Sequence, residues 1–124
     1  MKSILLVDDD MKFVKMVKEI LEEEGYTVHC GYDGHMAVHL AQIYHPDLIL
    51  MDVSMPMMDG IQAFQKLRAV TETSRIPVIF LSEVVSQIIY PILKSAPRAA
   101  HLKKPLDLPD LTSLARQFIS SYAA

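Results

Sequence analysis

The chain has 124 residues, 51% of them apolar, and a formal net charge of −3, which suits one domain spanning 1–124 with a single core. Lys and Arg gather on no one predicted face, which argues against direct nucleic-acid binding, and no apolar run is long enough for a membrane span or a signal peptide. The single Cys30 has no disulfide partner within the chain, which points to a reducing, cytoplasmic setting.

Strand-like and helix-like segments alternate throughout. Ser3–Val7 reads as an apolar strand. Asp10–Glu24 reads as a helix with Phe13, Val14, Val17, Ile20 and Leu21 on one stripe and Gly25 as its stop. Thr27–Cys30 is a short strand, and Gly34–Tyr44 a helix that stops before Pro46. Leu48–Met51 is a continuous apolar run, the mark of a strand buried on both faces. Ile61–Val70 is a helix with Ile61, Phe64 and Leu67 inward, and Pro77–Leu81 a strand. Glu83–Ser95 reads as a helix, Ala99–Leu102 as a strand, and Leu108–Ser121 as the last helix. Repeated β-α units of this length imply a parallel sheet covered on both faces, a doubly wound three-layer sandwich. Such sheets bind ligands beyond the carboxyl ends of their strands.

The residues that follow the strands are the informative ones. Asp8 and Asp9 follow the first strand, Asp52 the third, Ser82 the fourth, and Lys103, Lys104 and Pro105 the fifth. A lone Asp after a strand is usually a helix cap, which is the role expected of Asp10. A lone Ser or Lys there is usually a solvated loop residue. Their joint placement on one rim is much harder to reach by chance. Two carboxylates about 4 Å apart repel by about 4 kcal/mol at an effective dielectric near 20, so the acidic group needs a cation or a shifted pKa. Hard oxygen ligands favour Mg²⁺. Neutralisation by Lys104 alone accounts for only one of the carboxylates.

This set resembles the response-regulator receiver domain of two-component signalling. It is carried by Asp8-Asp9, Asp52, Met55-Pro56, Asp59-Gly60, Ser82 after Ile79-Phe80-Leu81, and Lys104-Pro105. The resemblance implies a flavodoxin-like fold with five helices around a five-stranded parallel sheet in the order 2-1-3-4-5. It implies that Asp52 accepts a phosphoryl group from a histidine kinase or histidine phosphotransfer protein. It implies Mg²⁺ held by Asp8, Asp9, Asp52 and the backbone carbonyl of Ser54. Lys104 would pair with Asp52 and then with the phosphoryl group, and Ser82 would report its arrival. Gly60 would supply backbone freedom at the turn into the third helix, and Lys104–Pro105 would be cis.

Three departures from the family pattern stand out. Glu83 follows the hydroxyl, where relatives carry a small residue; it either crowds the incoming phosphoryl group or points outward and caps the fourth helix. His101 occupies the place of the usual Tyr or Phe; it either alters the switch that couples to Ser82 or is a solvated histidine on a strand edge. Pro91 lies within the predicted fourth helix, at a cost of about 3 kcal/mol in a helix interior, and biases Tyr90 toward extended backbone. That region, Val84 to Leu93, carries more apolar residues than a half-solvated helix buries. They suit a homodimer through the helix 4/strand 5/helix 5 face, although core contacts in a rearranged helix are the simpler account. Pro97 to Ala100 also lacks the glycine that usually precedes the fifth strand.

Other features weigh less. His35 and His39 have zinc-compatible helical spacing but lack a third ligand. Met55, Met57 and Met58 offer an adaptable surface beside Asp52. Lys12, Lys15 and Lys18 precede Glu22, Glu23 and Glu24, an order that opposes the helix dipole, so packing must hold this helix. The lysines are placed to steer a phosphorylated partner, with a solvated face as the default. The leading functional reading is a phosphorylated signalling switch, not a turnover enzyme. Its rivals are a pseudo-receiver that binds partners unphosphorylated and a hydrolase with an aspartyl nucleophile. The hydrolase would want a second acid where Ser54 stands.

Overall fold

Three apolar runs form the centre of the sheet: β1 (Ser3–Val7), β3 (Leu48–Asp52) and β4 (Val78–Ser82). In the computed structural model, which describes residues 1–83, 87, 89–96 and 98–123, β2 (Thr27–Gly31) and β5 (Ala99–Lys103) complete it. The five strands are parallel, in the order β2-β1-β3-β4-β5. Alternate side chains leave opposite faces. Ile4, Leu6, Leu48, Leu50, Ile79 and Leu81 pack with α1 (Met11–Glu23) and α5 (Leu108–Ser121). Leu5, Val7, Ile49, Met51, Val78 and Phe80 pack with α2 (Gly34–Tyr44) and α3 (Gly60–Ala69). Burial of each such side chain contributes about 1.5–3 kcal/mol, and both faces of the sheet draw on it.

Aspartates start four of the helices. Asp10, Asp33, Asp59 and Asp107 accept backbone N–H groups at the N-termini of α1, α2, α3 and α5. Asp59 and Gln62 form a reciprocal capping box. No acid in the first turn and no base in the last favours the dipole of α1, which is held by the buried Val14, Val17 and Leu21. Gly25 stops α1 with φ of 98°, in the left-handed region as expected.

The fourth helix departs from expectation. The helix α4 spans Ile89–Ser95, not Glu83–Ser95. Pro91 therefore lies in the first turn, where its missing N–H costs no intrahelical bond. Tyr90 is helical, not extended. Ile89 is fully buried, while Tyr90 is 56% exposed. Val84, Val85, Ser86, Ile88 and Pro97 lie outside the described residues, and with them the expectations of an apolar partner surface and of a glycine-free entry to β5 at Pro97.

Gly60 also has a different role from the one expected. Its backbone does not take the left-handed φ. Its Cα lies against the ends of β3, and a Cβ would overlap the carbonyl oxygen of Asp52 and crowd Val53. The glycine permits close approach of α3 to the strand that carries Asp52.

Candidate functional site

Backbone bonds fix the rim on which the polar side chains stand. Asp8 follows β1, and its N–H donates to the Gly31 carbonyl at 3.1 Å. Its carboxylate accepts the N–H of Asp10 at 3.0 Å. Asp52 ends β3, and the next N–H, from Val53, donates to the Leu81 carbonyl at 3.1 Å. The N–H of Gly60 donates to the Val53 carbonyl at 2.8 Å, tying the start of α3 to the same point. The N–H of Lys104 donates to the Ser82 carbonyl at 2.8 Å, so hydroxyl and ammonium leave adjacent strand ends. The Lys104–Pro105 peptide is cis, as expected.

The carboxylates converge. One oxygen from each of Asp8, Asp9 and Asp52 lies within 4.8 Å of the others. Asp8 is 1% exposed and Asp52 8%, whereas Asp9 is open to solvent. Lys104 Nζ lies 2.6 Å from Asp8 Oδ2 and 3.8 Å from Asp52 Oδ1. Burial, and then repulsion from Asp8, push the Asp52 carboxyl up to about 6, against the pull of Lys104 and of the Ser54 and Val53 N–H groups. One ammonium does not neutralise this acidic cluster. Its hard oxygen donors fit a divalent cation that keeps waters and takes carboxylate ligands.

Several details differ from the expected picture. Lys104 pairs closely with Asp8 and only loosely with Asp52. Phe13, which sequence periodicity assigns only to the inward stripe of α1, lies beneath this ammonium, 4.3 Å from Nζ to the ring centroid. Its position three residues after Asp10, at the first turn of α1, is the signal that would have found it.

His101 lies on the edge strand β5 and is half-buried. It pairs in register with Phe80, and its Nε2 is buried without a hydrogen-bond partner among the described residues. Burial depresses its pKa. Glu83 is exposed but cannot cap α4, whose first residue is Ile89. Met57 is exposed in the left-handed region at φ 68°, whereas Met58 is buried. His35 and His39 stay exposed, and the three aspartates are the one candidate metal cluster among the described residues.

Residues 4–116 match the model of the response regulator receiver domain family. The chain belongs to that family. The receiver is 32% identical over 120 residues to the regulatory protein AtoC of Escherichia coli K12, covering 92% of this chain but only 24% of AtoC. The chain thus spans about a quarter of that relative's length. Among solved structures it superposes on Vibrio cholerae chemotaxis protein CheY4 with a TM-score of 0.87 and 28% identity, covering 95% of this chain and 98% of that one. The receiver domain of a sensor histidine kinase from Pseudomonas aeruginosa PAO1 gives a TM-score of 0.86 and 30% identity over 96% of this chain and 98% of that one; its structure has magnesium coordinated in the active site cleft. The fold and the strand order are those of the family. Two-component signalling is the setting in which such domains act as switches. No described helix is long and apolar enough to cross a membrane.

Proposed function

We propose that Asp52 accepts a phosphoryl group from a phosphohistidine on a histidine kinase or histidine phosphotransfer protein. The observation that carries this reading is the convergence of Asp8, Asp9 and Asp52 with Lys104 at one end of the sheet. With its pKa near 6, Asp52 is mostly ionised at neutral pH. A carboxylate oxygen attacks phosphorus, the P–N bond breaks, and the donor imidazole leaves with the bonding pair. Asp8, Asp9, Asp52 and the Ser54 carbonyl would hold Mg²⁺, which would offset charge on the transferring oxygens. Lys104 pairs with the arriving phosphoryl group from its place between Asp8 and Asp52. Ser82, buried at the end of β4, donates its hydroxyl to a phosphoryl oxygen and carries the signal to the β4–β5 edge.

The donor protein docks beside the acid cluster. There Phe13, Met16 and Leu106 line a hollow of about 440 Å³ together with Asp10, Glu83 and Lys104. Glu83 in that hollow is the observation that favours the alternative, a pseudo-receiver that binds partners without phosphorylation. Incubation with Mg²⁺ and acetyl phosphate, read by intact mass, separates the two. The wild type gains one phosphoryl mass and Asp52→Asn gains none. A wild type that stays unlabelled under conditions that label another receiver establishes the pseudo-receiver.

A further inference from the structure

The sheet has a second feature away from the acid cluster, at the outer edge of β2. Among the described residues, β2 pairs with β1 alone. The Thr27 N–H and the Gly31 carbonyl both bond toward β1's side, so with strand alternation the N–H and carbonyl groups of Val28 and Cys30 point away from the sheet. A groove of about 650 Å³ lies over this edge. One lip is α1, with Lys12, Lys15 and Lys18; the other is α2, with Leu40 and Tyr44. Tyr44 stacks on His29 of β2 with ring centroids 3.7 Å apart, which gives that lip a flat aromatic wall. Among the described residues, none of the three lysines lies within ion-pair distance of a carboxylate. The groove is therefore basic on one side, apolar on the other, and floored by backbone that is unpaired among the described residues.

We propose that β2 accepts an extended peptide of a partner protein as an added edge strand, one whose residues alternate between acidic and apolar. A strand laid beside β2 sends successive side chains to opposite faces of the sheet. Those on the α1 face meet the lysines and those on the α2 face meet Leu40 and Tyr44. Acidic side chains at alternate positions stand about 7 Å apart, within the span of about 9 Å that Lys12 to Lys18 cover along the helix. A second copy of this chain is the wrong occupant. A twofold axis through paired β2 edges sets α1 against its own copy and brings the lysine rows face to face. Cys30 contributes surface only, because burial pushes its thiol pKa up and keeps it protonated.

The test uses the full chain, ¹⁵N-labelled, and a fluorescein-tagged synthetic peptide of alternating Glu and Val. An alternating Lys and Val peptide, and a Glu and Val peptide N-methylated at alternate amides, serve as controls. The Glu and Val peptide binds about tenfold more tightly than either control, as two exposed charge pairs and lost strand bonds imply. It shifts the Val28 and Cys30 amide resonances. The double variant Lys15→Glu/Lys18→Glu, altered only on the helix surface, reverses the preference toward the Lys and Val peptide. Equal binding of the three peptides, a charge reversal without effect, or amide shifts confined to other strands overturns the proposal.

Discussion

Asp52→Asn removes a carboxylate that folding makes harder to ionise. The group moves from 3.8 to about 6 on folding, through burial and the neighbouring Asp8. Two pKa units correspond to about 3 kcal/mol. Because the folded value is the higher one, the native state holds the extra proton between these limits. Stability attributable to this group falls as pH rises through that window, and the full cost is present above it. In metal-free buffer Asp52→Asn is therefore more stable than wild type by about 1–3 kcal/mol at neutral pH, and equal to it below both pKa values. Lys104 is not orphaned, since Asp8 remains 2.6 Å away.

Urea unfolding of both proteins in EDTA over a pH series measures the difference. Subtraction cancels the other titrating groups, His101 among them, that do not touch Asp52. The expected curve rises sigmoidally between pH 3.8 and about 6. Mg²⁺ erodes the advantage of the variant by stabilising the wild type through binding. A pH-independent difference, or an Asn variant less stable than wild type above pH 6, would refute the account of Asp52 as a destabilised anion.

Other outcomes follow from the same geometry. Gly60→Ala destabilises the domain by about 1–3 kcal/mol, because its Cβ meets backbone and not a movable side chain; thermal and urea melts measure this, and a neutral substitution contradicts it. Lys104→Ala raises the Asp52 pKa further, since Lys104 now lowers it, and removes the cation that competes for Asp8. Calorimetry then shows Mg²⁺ binding about fivefold tighter in the variant, while acetyl phosphate labelling of Asp52 falls. His101→Phe stabilises the domain by about 1 kcal/mol at neutral pH by removing a buried ring nitrogen that has no hydrogen-bond partner among the described residues. The gain grows as pH drops below about 6.5, because the depressed folded pKa of His101 means that the unfolded chain takes up the proton first. Unfolding curves at neutral and mildly acidic pH read both effects.

Most of the site was legible in the chain because its parts follow strands, and in a parallel sheet every strand ends on the same rim. The central strands were legible for a related reason: Ile49, Leu50 and their neighbours are apolar without alternation, as burial on both faces requires. The fourth helix was misread because its apolar and polar residues fit a helical period from Glu83 onward, whereas the described helix starts only at Ile89. Gly60 was misread because a glycine at a turn signals freedom of φ and close approach with the same letter.

The order of residue types along the chain determined by itself that alternating strands and helices would bring Asp8, Asp9, Asp52, Ser82 and Lys104 to one rim. Periodicity and strand ends are local properties, and local sequence carries them. Only the tertiary structure decided that Lys104 rests on Asp8 more closely than on Asp52, that Phe13 lies under its ammonium, that His101 turns a nitrogen inward, and that three lysines border a free strand edge. Each of these depends on distances between residues far apart in the chain. Such distances are set by how helices seat on the two faces of a twisted sheet, which no single segment encodes.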